Sequence, residues 1–175
     1  MVQLTSCGPT VDTRNRMLVS VADQRMLLLR DDKPIRRYDV STSKFGLGDR
    51  KGSNRTPLGR MQVAKKIGHG ARSGAVFKSR RPTGEVIRPN APGRDPIVSR
   101  ILWLKGMESY NRNTFRRFIY IHGTPEERRI GEPASYGCIR MRSRDVIDLF
   151  NRVGEGAEVN VIAGPLPKVT QSRRR

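Results

Sequence analysis

From Arg16 onward the apolar residues come in short runs broken by turn formers. Residues 17–21 and 26–29 are two such runs, separated by Ala22-Asp23-Gln24. Asp31-Asp32-Lys33-Pro34 marks a second turn before an alternating stretch at 35–41. Runs this short, punctuated this way, predict an antiparallel meander. Residues 44–54, rich in Gly, Ser and charge, read as a loop, and Thr56-Pro57-Leu58-Gly59 as a turn into a strand at 60–64. Residues 65–99 hold five Gly and four Pro among many Lys and Arg, which predicts a long loop-rich insertion with short hairpins. Residues 101–104 and 117–121 read as core strands. Helical spacing is clear only at 143–153, where Val146, Ile147, Leu149, Phe150 and Val153 share one side. Ser143 is expected as its N-cap, Asp145 in its first turn, and Gly154 and Gly156 beyond its end. A last strand is expected at 157–163. The pattern predicts a mostly β domain, a sandwich or barrel with one late α-helix. It divides the chain into a loose leader at 1–14, one domain at 15–164 and a mobile basic tail at 165–175.

Length and composition narrow this. The 175 residues suit one domain with a sizeable core. Two Cys and two His exclude a disulfide scaffold, and their spacing fits no zinc module, so no metal is expected. No run approaches the roughly 18 apolar residues of a membrane-spanning helix. The formal net charge is +19. It is spread along the chain: residues 1–90 carry 19 basic and 7 acidic side chains, and residues 91–175 carry 16 and 9. Spread positive charge predicts a polyanionic partner: nucleic acid, an anionic membrane surface or an acidic cell-wall polymer. Near the start, Leu4-Thr5-Ser6-Cys7 resembles the site at which bacterial lipoproteins are cut and lipidated. Cys7 is therefore a candidate membrane tether if lipidated, and otherwise an ordinary cysteine.

The densest candidate chemistry is Ile119-Tyr120-Ile121-His122-Gly123-Thr124 followed by Ala134-Ser135-Tyr136-Gly137-Cys138-Ile139-Arg140-Met141. His122 is expected at a strand end. Cys138 follows Gly137 in a turn-prone segment, where a thiol is presented outward and backbone N–H groups converge on an oxyanion. An imidazole in reach makes such a thiol a nucleophile. By itself the Cys/His pairing is a weak signal, and a lone Cys also fits a small buried apolar residue. Ser135 and Thr124 are read as loop hydrogen-bonding residues or simple turn residues. Arg140 is read as a carboxylate binder, a brace for the thiol loop or a surface Arg. His69 is expected to be exposed and Trp103 to lie in the core. The basic segment 65–88 reads equally as the wall of an acidic-substrate groove or as a solvated lid.

Ile-His-Gly-Thr followed by Ser-x-Gly-Cys-Ile-Arg-Met resembles the L,D-transpeptidase catalytic domain, the YkuD family. Residues 18–21 with 24–27 resemble the family's opening hairpin, residues 40–43 its following strand, and Thr56-Pro57-Leu58-Gly59 its Thr-Pro-x-Gly turn. The likeness spans about residues 16–163. It implies an L,D-transpeptidase-type β-sandwich and peptidoglycan stem peptides as substrate, hence the cell envelope or periplasm. It implies Cys138 as nucleophile, His122 as general base and the Gly123 carbonyl as the group orienting His122. Tyr136, Gly137, Ser135 and Arg140 would bind the oxyanion or substrate, with no cofactor. The acceptor would be an amine of a second stem or of a lipoprotein. Tyr136 departs from the family, which commonly has His there, so a shifted substrate preference is expected. A hydrolase or carboxypeptidase of the same fold is the alternative within this chemistry. A basic nucleic-acid-binding module is disfavoured by 6% aromatic content and the lack of a recognised motif.

Overall fold

Alternating residues form strands for a physical reason: one side-chain row can face the core while the other faces solvent. This computed structural model describes residues 10–168. Three strands form the opening meander, β1 (Asn15–Ser20), β2 (Arg25–Arg30) and β3 (Lys33–Asp39). They are followed by β4 (Gly59–Ile67), β5 (Ala75–Lys78), β6 (Arg81–Val86) and β7 (Ile97–Gly106). Then come β8 (Tyr120–Gly123), β9 (Ile139–Met141), the helix α1 (Ser143–Arg152) and β10 (Glu158–Ile162).

The strands form one hydrogen-bonded sheet in the order β3-β2-β1-β10-β4-β7-β5-β6, with β8 and β9 added beside β7. It closes on itself through residues 40–43. Ser41 and Arg140 exchange two backbone hydrogen bonds of 2.9 Å, tying the chain after β3 to β9. Side chains from both sides of this closed surface meet in one core: Met17, Met26 and Val159 on one side, Leu102, Ile121 and Met141 on the other. Val146, Leu149 and Phe150 of α1 complete it. The expected sandwich is thus realised as a single sheet doubled over its own core.

The structure sharpens three expectations. The segment 65–99 is more regular than its Gly and Pro content suggests. Its first residues continue β4, and its middle is the β5–β6 hairpin. That hairpin turns at Ser79 and Arg80, both with positive φ (49° and 67°), the two-residue turn that suits strand twist. The strand expected at 117–121 begins only at Tyr120, because Phe118 turns the chain with φ +57°. Arg142, not Ser143, is the N-cap of α1. Ser143 is instead the first helical residue, and its N–H donates to Glu127 Oε1 at 2.8 Å. Of the expected leader, residues 10–14 are described, and Asp12 docks on the domain by accepting the Gly154 N–H at 2.7 Å. Cys7 lies outside the described residues. No described helix is long and apolar enough to cross a membrane.

Candidate active site

Short parallel pairing of β8 and β9 sets the geometry. Ile121 lies opposite Ile139, and His122 opposite Arg140. Ile121 and Ile139 point into the core, so alternation turns Tyr120, His122, Cys138 and Arg140 to the other face. Cys138 thereby sits beside Tyr120, two residues from His122 across the ladder and on the same face.

His122 is 6% exposed. Its Nδ1 lies 2.8 Å from the Gly123 carbonyl. A carbonyl only accepts, so Nδ1 carries the proton and Nε2 keeps its lone pair. Burial pushes the imidazole down to about 4, with the Gly123 carbonyl opposing the shift. Gly123 has no room for a side chain, since a Cβ there would lie 2.5 Å from the Val98 carbonyl oxygen. The ring is therefore neutral near pH 7, with a free base nitrogen.

Cys138 is half-buried beside Phe77, Ile101, Trp103 and Tyr120. Its thiol donates to the Phe118 carbonyl at 3.5 Å, and its sulfur accepts the Tyr120 N–H at 3.4 Å. Burial pushes the thiol up to about 11, opposed by the Tyr120 N–H and by the charges of Arg117 and Arg140. The resting site therefore holds two neutral groups, not a thiolate–imidazolium pair. In this structure the thiol's hydrogen bonds go to β8 and its approach, not to His122.

The loop presenting the thiol is held from within. Ser135 Oγ donates to the Cys138 carbonyl at 2.6 Å and accepts the Gly137 N–H at 3.2 Å. Thr56 Oγ1 donates to the Gly137 carbonyl at 3.0 Å and accepts the Ser43 N–H at 3.0 Å. Gly137 has φ +121°, which a side chain would strain. The Gly137 amide is thus committed to Ser135. The Tyr136 and Cys138 amides make no turn or loop hydrogen bond among the described residues.

Arg140 is 4% exposed. Its guanidinium pairs with Asp95 and with Glu126, the latter at 3.2 Å, while Nε and Nη2 are buried without a partner. Asp95 also accepts from Thr124 Oγ1. This cluster clamps the loop before β7 and the turn after β8 beside His122, on the same face of the ladder. Tyr136, by contrast, is 63% exposed. Its hydroxyl lies 2.9 Å from Lys44 Nζ, which sits 4.3 Å from its ring centroid.

The hairpin turn carries Arg80 to the thiol's surroundings. Its guanidinium lies 5.1 Å from the rings of both Trp103 and Phe118, and it opposes the rise that burial imposes on the Tyr120 hydroxyl. Asp95, Glu126, Lys44 and Arg80 were not singled out by their local sequence. Each acts through contacts across the fold, which no nearby motif announces. His69 is exposed and forms no part of this cluster, and Trp103 is buried at 9% exposure. No group of three or more His, Cys, Asp or Glu suited to a metal occurs among the described residues.

Comparison with known proteins bears on the family and the fold. The family described as the L,D-transpeptidase catalytic domain (YkuD) matches residues 14–161. A protein of Escherichia coli (strain K12) named as a probable L,D-transpeptidase, YcfS, is 44% identical over 46 residues, 26% of this chain and 14% of that protein. A Bacillus licheniformis protein named as an L,D-transpeptidase, YkuD, is 46% identical over 41 residues, 23% of this chain and 25% of that protein. Among solved structures, an L,D-transpeptidase from Mycobacterium smegmatis superposes with a TM-score of 0.54 at 16% identity, covering 86% of this chain and 59% of that one. L,D-transpeptidase 3 from Mycobacterium tuberculosis, in complex with a faropenem-derived adduct, gives 0.54 at 17% identity, covering 88% and 60%. The match thus spans a quarter or less of those curated relatives and about three fifths of those solved chains.

Proposed function

This chain belongs to the L,D-transpeptidase catalytic domain family, and from that premise we propose that it is a peptidoglycan L,D-transpeptidase with Cys138 as nucleophile and His122 as general base. The observation that carries the reading is the His122 Nδ1 to Gly123 carbonyl contact of 2.8 Å. It leaves Nε2 as a base on the same strand face as the thiol.

In this scheme His122 Nε2 takes the thiol proton as sulfur attacks the carbonyl at the L-centre of a donor stem's diamino acid. The Tyr136 and Cys138 amides receive the developing oxyanion. The C–N bond to the terminal D-Ala breaks, its nitrogen takes the proton back from the imidazolium, and a thioester forms. An acceptor amine then attacks the thioester, giving its proton to His122, and the C–S bond breaks to return the thiol. The acceptor is an amine of a second stem, giving a 3→3 cross-link, or an amine of a wall-anchored protein. Transfer to water would make the enzyme a hydrolase instead. The substrate places the reaction in the cell envelope. Because both groups rest neutral, the thiolate forms only as substrate arrives. Arg80 has no acidic partner among the described residues and stands ready for the donor's terminal carboxylate. Arg140 is already engaged by Asp95 and Glu126.

The deciding measurement is intact mass after incubation with a carbapenem, a β-lactam relative of the faropenem seen as an adduct in the Mycobacterium tuberculosis structure. One added acyl group on the protein and none on Cys138→Ala is expected. Incubation with a disaccharide-tetrapeptide, with and without an amine acceptor, then separates cross-linking from hydrolysis. No adduct and no product would overturn the reading.

A further inference from the structure

Away from the thiol, a cavity of about 690 Å³ lies on the outer face of β4 and β7 under the loop that joins β7 to β8. Four cationic side chains ring it: Lys65 and Lys105 from the sheet, Arg112 and Arg116 from the loop. Pairing of Gln62 with Lys105 and of Lys65 with Trp103 sets the two lysines near one another on that face. Phe115 lies in its floor, stacked on Trp103 at 4.1 Å with a 7° interplanar angle.

No acid lines the cavity, and none of the four cations is ion-paired among the described residues. The acids flanking the loop are already taken. Asp49 pairs with Arg117 at 3.1 Å in a buried contact, and Glu108 pairs with Arg60 at 3.7 Å. The backbone that carries the two loop arginines is pinned. The Asn113 N–H donates to Asp49 at 2.6 Å, Thr114 Oγ1 to the Asn111 carbonyl at 2.6 Å, and Trp103 Nε1–H to the Phe115 carbonyl at 3.0 Å. Like charges held together on a rigid apolar floor raise the local potential and suit an anion that bridges them.

We propose that this groove is a binding site for an acidic polymer carrying closely spaced carboxylate or phosphate groups. It is distinct from the thiol site and does not depend on the reading of that site. Nucleic acid is disfavoured, since base binding needs free aromatic faces and here Phe115 and Trp103 cover each other. The groove begins one aromatic layer from the thiol: Trp103 meets Tyr120 edge-on at 5.7 Å, and the Tyr120 N–H holds Cys138 Sγ. A polymer seated there stays at the margin of the candidate active site.

The test compares two variants of equal net charge in the full chain. One removes the groove cations (Lys65→Gln, Lys105→Gln, Arg112→Gln, Arg116→Gln). The other removes four exposed cations elsewhere (Lys33→Gln, Arg37→Gln, Lys51→Gln, Arg128→Gln). Binding to polyglutamate and to long-chain polyphosphate is measured across a salt series, with single-stranded DNA as a third probe. The groove variant is expected to lose about 30-fold or more in affinity and about three units of log–log salt slope for the preferred probe. The control is expected to lose no more than about threefold, the excess over it being the local contribution. Which of the two acidic polymers binds tighter identifies the anion class. Equal losses in both variants would overturn the site, as would failure of both acidic probes to bind. Tighter, groove-dependent binding of DNA would overturn the assignment to an acidic polymer. An unchanged rate of Cys138 alkylation by iodoacetamide reports that both variants remain folded.

Discussion

The thiol face of β8 and β9 and the groove over β4 and β7 belong to one sheet and treat charge in opposite ways. Around the thiol most charge is answered: Arg140 by Asp95 and Glu126, Arg117 by Asp49, while Arg80 is left without an acid among the described residues. The proposed nucleophile and base themselves rest neutral, His122 pushed down to about 4 and Cys138 up to about 11. Over β4 and β7 four cations stand exposed with no acid among the lining residues. The contrast teaches where each kind of recognition is placed. A bond-making site needs fixed geometry and low dielectric, so most of its charges are paired and its titrating groups desolvated. A surface that gathers a polyanion needs field, so its charges are left unpaired.

The comparison breaks most sharply at the two groups proposed to react. Cys138→Ala is expected to abolish acylation and His122→Ala to lower it by about 10²–10⁴-fold, measured as adduct formation per unit time. Neither change should alter binding of an acidic polymer in the groove. An acylating His122→Ala protein with wild-type kinetics would remove the base from the scheme.

Next in size is the clamp beside the site. Arg140→Met leaves Asp95 and Glu126 without their cation. It should destabilise the fold by about 2–4 kcal/mol, less than for a fully buried pair because both acids retain some water. Chemical denaturation measures this, and a change within 0.5 kcal/mol would show that the cluster does not brace the site.

The pH response sharpens the same contrast. The neutral His122 binds its proton less readily in the fold than in the unfolded chain, where its ordinary value is 6.5. Its contribution to stability is therefore full above pH 6.5 and is lost as pH falls toward 4. It amounts to about 3 kcal/mol in all. That slope should vanish in His122→Asn. The Cys138 thiol works at the other end. Its folded value lies above its ordinary one, so stability declines as pH rises from about 9 toward 11. Alkylation of the free enzyme should accelerate over the same alkaline range.

Smaller still is Gly137→Ala. It places a Cβ 3.3 Å from the Arg55 carbonyl oxygen in a backbone with φ +121°. A cost of about 1–3 kcal/mol is expected, with weakened acylation because the thiol loop shifts. Smallest is Lys105→Gln in the groove, with an expected stability change within about 0.5 kcal/mol and unchanged acylation.

Much of this was legible in the residue order. The meander of β1 to β3 follows from short alternating runs separated by Asp and Gln turns, and α1 from apolar residues at helical spacing. The pairing of His122 with a following Gly, and of Cys138 with a preceding one, is local chemistry that a motif displays. The segment 65–99 holds the short hairpin that its residues predict, β5–β6, but its place in the sheet was not legible locally. Its Gly and Pro argue for loop, yet β5 pairs with β7 and packs Phe77 beside Ile101, and that tertiary pairing overrides local preference. Ser143 looked like a cap because capping residues are recognised by type. Glu127, a residue far back in the chain, supplies the acceptor instead.

The sequence by itself determined the strand-rich class, the late helix, the family likeness and the two residues proposed to react. These depend on side-chain periodicity and on motifs within a few positions of one another. Only the tertiary structure decided that the sheet closes through Ser41 and Arg140, and that Asp95 and Glu126 engage Arg140. The same holds for the delivery of Arg80 to the thiol's surroundings and of Lys65, Lys105, Arg112 and Arg116 to one groove. Each of those contacts joins residues distant in the chain. Which of many interchangeable charges becomes a neighbour is set by strand register and loop anchoring, and the order of residues alone does not contain that choice.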